Sequence, residues 1–135
     1  MFKISPVQNS AEAKEYITLV GGEYLPQAFV YVMKDAASDV VMGASQFEIS
    51  ADGGIIYDLK PAPDYSNDFE ALFILGRQTM NFIDICGIHT CRAAKKSAEE
   101  KLLLSIGFKK NGEEYFCDMT GFFDGNCSGH KVNLT

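Results

Sequence analysis

The hydrophobic pattern changes period several times along the chain, and each change marks an element. Residues 28–34 (AFVYVMK) are almost continuously apolar, residues 40–50 (VVMGASQFEIS) alternate loosely, and residues 55–60 (IIYDLK) repeat a β-type pattern. ASD at 37–39 and ADGG at 51–54 separate them, so the three runs predict an antiparallel meander. Residues 68–86 switch to a helical period: Phe69, Leu72, Phe73, Gly76, Met80, Ile83 and Cys86 share one face, while Glu70, Arg77, Asn81 and Asp84 recur on the other. Gly87 closes that helix, and IHTCRA (88–93) predicts another strand.

Before the meander, FKISPV predicts a first strand ending near Pro6, and SAEAKEYITLV (10–20) a helix stopped by Gly21-Gly22. Residues 23–28 predict a short helical turn at most. After residue 93, Ser97 and Glu100 have the spacing of a capping box, which predicts a helix running to about Ser105 and stopped by Gly107. Asn111-Gly112 predicts a closing hairpin between residues 108–110 and EEYFCDMTGFF. The chain reads as one domain over residues 1–135, without internal repeats, whose polar, glycine-containing residues 126–135 read as a loose tail.

Composition narrows the range of partners. Of 135 residues 47% are hydrophobic and 22% charged, the profile of a folded globular chain. A net charge of -6 argues against nucleic acid and anionic membrane, and over the whole surface it favours a cationic amine over an anionic ligand. The basic groupings, Arg92–Lys96 (RAAKK) and Lys109–Lys110, read as solvated surface. The opening MFKISPVQNS has no apolar leader and the longest apolar run is ALFIL at 71–75, so the expected location is cytoplasmic. There Cys86, Cys91, Cys117 and Cys127 are expected to be reduced. Cys127-x-x-His130 supplies two ligands where a closed zinc site needs four, so no metal is expected.

Three stretches together resemble the GNAT (Gcn5-related N-acetyltransferase) family. Leu59-x-Pro61-x-Pro63-Asp64-Tyr65 is similar to the family's L-x-V-x-P-E-Y strand end. The long helix and the Gly87-led strand follow at the family's spacing, and LLLSIGFKKNGEEYF resembles its terminal helix, L-G-F and hairpin. The resemblance implies an α/β (α+β) domain whose central mixed, mostly antiparallel sheet has about six or seven strands, flanked by three or four helices. It also implies a cleft between the fourth and fifth strands. There acetyl-CoA would be held by a strand-end N–H and by an R/Q-x-x-G-x-G/A loop at the start of the long helix.

Carried onto this chain, that loop covers Ser66, Asn67, Asp68, Phe69, Glu70 and Ala71, next to Leu59 and Lys60 of the strand end. Ser66 stands at the R/Q position, Phe69 at the first glycine and Ala71 at the last small residue. Asp68 and Glu70 place carboxylates where phosphate would lie, with Ser66 or Asp68 as the expected helix cap. Pro61 stands where the strand would offer its N–H, and Leu103 where the family often has a proton-donating tyrosine. These departures predict an acetyltransferase-like protein without standard acetyl-CoA-dependent transfer, one that binds a partner or small ligand in the inherited cleft. The alternative is an active N-acetyltransferase that uses an atypical loop on a small amine. A third reading makes the final hairpin and tail a homodimer contact. As proton acceptors the candidates are Glu48, Asp58 and His89, all expected near the cleft, with Tyr57 and Asp58 pointing oppositely. Cys91 beside His89 is a candidate nucleophile, against the plainer reading of a small buried hydrophobe.

Overall fold

The computed structural model describes residues 1–123. In chain order these form β1 (Phe2–Pro6), α1 (Ser10–Leu19), β2 (Phe29–Asp35), β3 (Val41–Ser50), β4 (Gly53–Pro61), a 3-10 turn (Pro63–Tyr65), α2 (Phe69–Ile85), β5 (Thr90–Ala93), α3 (Glu100–Ile106), β6 (Lys109–Asn111) and β7 (Glu114–Asp118). The strands make one sheet in the order β1-β2-β3-β4-β5-β7-β6, and only β4 and β5 run parallel. Seven strands and three α-helices agree with the expected α+β architecture. The expected tail at 126–135, with Cys127 and His130, lies outside the described residues.

Helices cover both faces of the sheet. Alternation along β2 and β3 sends Val30 and Ala44 to one face, where Ala13, Ile17 and Val20 of α1 pack on them. Tyr31, Met33 and Phe47 go to the other, under α2. Along α2 the residues buried are Ala71, Leu72, Leu75, Gly76, Thr79, Met80 and Ile83, the stripe its period predicts. Leu75, Met80 and Ile83 are fully buried, each a contribution of about 1.5–3 kcal/mol by apolar burial. One polar chain crosses this interface: the Ser45 hydroxyl donates to Thr79 Oγ1 at 2.8 Å, because Thr79 spends its own proton on the Leu75 carbonyl at 2.9 Å.

The register of β3 on β4 shifts between Gln46 and Phe47: Gln46 lies opposite Asp58 and Phe47 opposite Ile56, which leaves Tyr57 as the extra residue of a bulge. The bulge overturns the simple alternation expected for β4. Tyr57 and Asp58 reach the same face, since Tyr57 bonds Glu48 while Asp58 bonds Gln46, two residues apart on β3.

The capping box does not form. Helix α3 begins after Glu99, which makes no side-chain cap; Ser97 is fully buried, its N–H donates to the Ala94 carbonyl, and its hydroxyl has no partner among the described residues. The Glu100 carboxylate instead accepts from the Tyr115 hydroxyl and pairs with Lys110. Glu100 is held below the usual carboxylate range by Tyr115 first and Lys110 second. The closing hairpin also shifts by one residue: Asn111 pairs with Glu114, so Gly112-Glu113 makes the turn, with Gly112 at φ 64°. Residues 25–28 form a turn closed by Ala28 N–H on the Leu25 carbonyl.

Gly76 sets how closely α2 approaches its neighbours. A Cβ there would lie 2.5 Å from Ile106 Cδ1 and 2.9 Å from Leu59 Cδ2. Gly76→Val is therefore expected to lower stability by about 2 kcal/mol through overpacking, read as a shift of the urea midpoint at unchanged slope.

Candidate functional site

Strands β4 and β5 pair over three positions, Gly54–Ile56 with Cys91–Ala93. Beyond them β4 continues to Pro61 while the chain after Ala93 turns away toward α3, and the sheet splays at the carboxyl ends of the two strands. A cavity of about 500 Å³ opens at this splay, within the usual range of small-ligand sites. Leu59, Pro61, Leu72 and Leu102 contribute an apolar floor. Ser66, Asn67, Asp68 and Phe69 line the α2 side, and Lys96, Ala98, Glu99 and Lys101 the α3 side; Lys60 stands at the strand end.

Of the loop positions expected to hold a ligand, Leu59, Lys60, Ser66, Asn67, Asp68 and Phe69 line the cavity. Glu70 and Ala71 do not: Glu70 is exposed elsewhere, and Ala71 is buried. Asp68 is the α2 cap, its Oδ1 accepting from Ala71 N–H at 3.1 Å. The Asp68 and Phe69 amides donate to the Tyr65 and Asn67 carbonyls. The helix start has thus given three of its N–H groups to its own chain.

The strand edge has done the same. Alternation turns the amide positions of Leu59 and Pro61 toward the splay, since Ala62 N–H donates to Met42 on the β3 side. Leu59 N–H donates to the Ser97 carbonyl at 2.7 Å, and Pro61 has no N–H. The strand edge at the splay therefore offers acetyl-CoA no free backbone donor at Leu59 or Pro61.

None of the three candidate proton acceptors lines this cavity. Asp58 is buried beneath the opposite face, accepting from Gln46 Nε2 at 2.8 Å and from Lys60 Nζ at 2.9 Å. The Gln46 amide also donates to the Glu23 carbonyl and accepts from Leu25 N–H, so the network ties down the segment after α1. Glu48 accepts from Tyr57 at 2.6 Å, and that bond raises the phenol's pKa. His89 precedes β5 and pairs with Asp84. Because β4 and β5 are parallel, that is the end away from the splay, and the expectation of a histidine near the cleft is corrected accordingly.

For Cys91 the structure favours the small buried hydrophobe over the nucleophile. It is fully buried, and burial pushes its thiol up to about 12. Cys117, its cross-strand partner, rises to about 11 for the same reason. Leu103, at the position of the family's tyrosine, is a fully buried core residue. The residues that sequence reasoning passed over are Lys96 and Lys101. The first lay inside RAAKK, read as plain surface; the second has no motif around it, and only folding brings both to one cavity.

A chimera of spermidine N-acetyltransferase SpeG from Vibrio cholerae and hSSAT superposes with a TM-score of 0.71 at 11% identity, covering 91% of this chain and 99% of that one. The IAA acetyltransferase from Bacillus cereus gives 0.68 at 16% identity over 83% of this chain and 79% of that one. This chain has the GNAT fold. The protein YhhK from E. coli, solved bound to coenzyme A, gives 0.66 at 12% identity over 87% and 98% of the two chains. No protein-family model and no curated protein matches the sequence. No helix among the described residues is long and apolar enough to cross a membrane, and no cluster among them could hold a metal ion.

Two expectations test the site's chemistry. Asp58→Ala leaves Gln46 and Lys60 without their acceptor and is expected to cost about 2 kcal/mol in chemical denaturation, whereas an Asp58→Asn variant retains part of that stability. Iodoacetamide applied to the native protein at neutral pH is expected to label exposed Cys86 and to spare Cys91 and Cys117. Peptide mapping by mass spectrometry reads this, and labelling of all three after denaturation is the control.

Proposed function

We propose that this chain is an acetyltransferase-like protein that binds a small ligand in the splay of its GNAT fold and does not carry out standard acetyl-CoA-dependent transfer. One observation carries the reading: the strand edge at the splay has no free backbone donor, since Leu59 N–H is bonded to the Ser97 carbonyl and Pro61 has none. The helix-start amides engaged within the chain add to it, because a phosphate entering there would have to displace bonds already made. The surroundings also lack a proton carrier at the Leu103 position.

A second reading, an active N-acetyltransferase with an atypical cofactor loop, draws on the position of the cavity beside the loop equivalent and on the coenzyme A bound by the E. coli neighbour. Calorimetric titration with acetyl-CoA separates the two. The proposal expects no saturable heat at millimolar ligand from protein shown folded by circular dichroism. Micromolar binding would replace it with the second reading, to be followed by an acetyl-transfer assay on small amines.

A further inference from the structure

The splay cavity has its own charge pattern, different from that of the protein as a whole. On a chain of net charge -6, Lys96 and Lys101 line one cavity, and among the described residues neither has a carboxylate partner. The Lys101 ammonium lies 5.6 Å from the centre of the Phe69 ring. Phe69 is the residue that replaces the first glycine of the family loop, so a side-chain cation stands beside the position where a backbone cradle is missing.

The other charged groups of the lining do not cancel the pair. Lys60 is committed to Asp58 at 2.9 Å and the two balance each other. Asp68 accepts the Ala71 N–H at the amino end of α2, where the helix dipole already compensates a carboxylate. Only Glu99, exposed and without a partner, opposes the lysines directly. Two uncommitted cations against one uncommitted anion, above an apolar floor, suit a ligand with a hydrophobic body and a single negative head.

We infer that the cavity takes a small apolar carboxylate, with its body on the floor of Leu59, Leu72 and Leu102 and its head at Lys96 and Lys101. The inference rests on the proposed reading of the splay as a ligand site and names the class of ligand. Charge-assisted bonds from two ammonium groups would supply orientation, and burial of the apolar body most of the affinity. It reverses the preference for cationic amines that the whole-surface charge suggests, because charges within hydrogen-bonding distance outweigh a screened surface field.

The test uses three probes on one skeleton, 4-phenylbutyrate, 4-phenylbutanol and 4-phenylbutylamine, titrated into the full chain by calorimetry. The expected result is saturable binding of the carboxylate, weaker binding of the alcohol and none of the amine. Lys96→Gln and Lys101→Gln should each weaken carboxylate binding by about fivefold, and Glu99→Gln should tighten it. Lys109→Gln, on the exposed β6 strand, should leave it unchanged; all four sites are exposed, and circular dichroism confirms folding. Preference for the amine, indifference to the charge variants, or failure of all three probes up to their solubility overturns the inference. Acetyl-CoA in a separate titration keeps the two levels apart: its binding overturns the proposed function, whereas its failure together with that of the carboxylate overturns only the ligand class.

Discussion

Two neighbouring parallel strands that separate must find other partners for the amides they expose, and this constraint shapes the end of the sheet where the cavity opens. Parallel pairing of β4 and β5 lasts for three positions, after which β4 extends toward the splay with its edge uncovered. Buried amides left unpaired would be costly, so the position of each one matters. Here the chain meets the requirement itself: Ala94 N–H continues the ladder to the Ile56 carbonyl, the Ser97 carbonyl takes Leu59 N–H, and proline removes the next donor. The residue that takes this bond, Ser97, is buried, and α3 starts only after Glu99, so Ser97 is not at the helix cap. One hydrogen bond thus links the strand edge, the entry of α3 and the wall of the cavity.

The bulge in β4 is a second consequence of local geometry with distant effects. By placing Tyr57 and Asp58 on one face, it gives Glu48 and Gln46 a partner each, and it buries Asp58 against Gln46 and Lys60 rather than exposing it to the cavity. The acids that sequence proposes as proton acceptors are therefore spent on holding the β3–β4 pair and the segment after α1. A carboxylate that accepts from both an amide and an ammonium is a structural anchor, and removing it takes an acceptor from each. The splay retains its apolar floor and its lysines.

Much of the architecture was legible because it rests on short-range rules. The α2 stripe follows from a period of 3.6, the meander from turn residues between β-rich runs, and the cap at Asp68 from the competition of a short carboxylate for the first helical amides. The site was legible only in part. The motif Leu59-x-Pro61-x-Pro63 led to the strand end beside the cavity, and the positions of Ser66 to Phe69 on the cavity wall followed from it. Lys101 could not be found this way, because a lysine on an exposed helix face has no local signature of what it faces.

The sequence alone determined the order and type of the elements, the proline that strips β4 of a donor, and the phenylalanine at the loop's first glycine position, since each is a property of one residue and its near neighbours. The tertiary structure decided which groups meet: Leu59 with Ser97, Asp58 with Gln46, Lys101 with Phe69 and the cavity, and His89 with Asp84 at the far end of the sheet. The reason is physical. Periodicity and turn chemistry act over a few residues, whereas strand register, a one-residue bulge and the splay of a parallel pair are set by packing between segments distant in the chain, and a shift of one position moves a side chain to the other face.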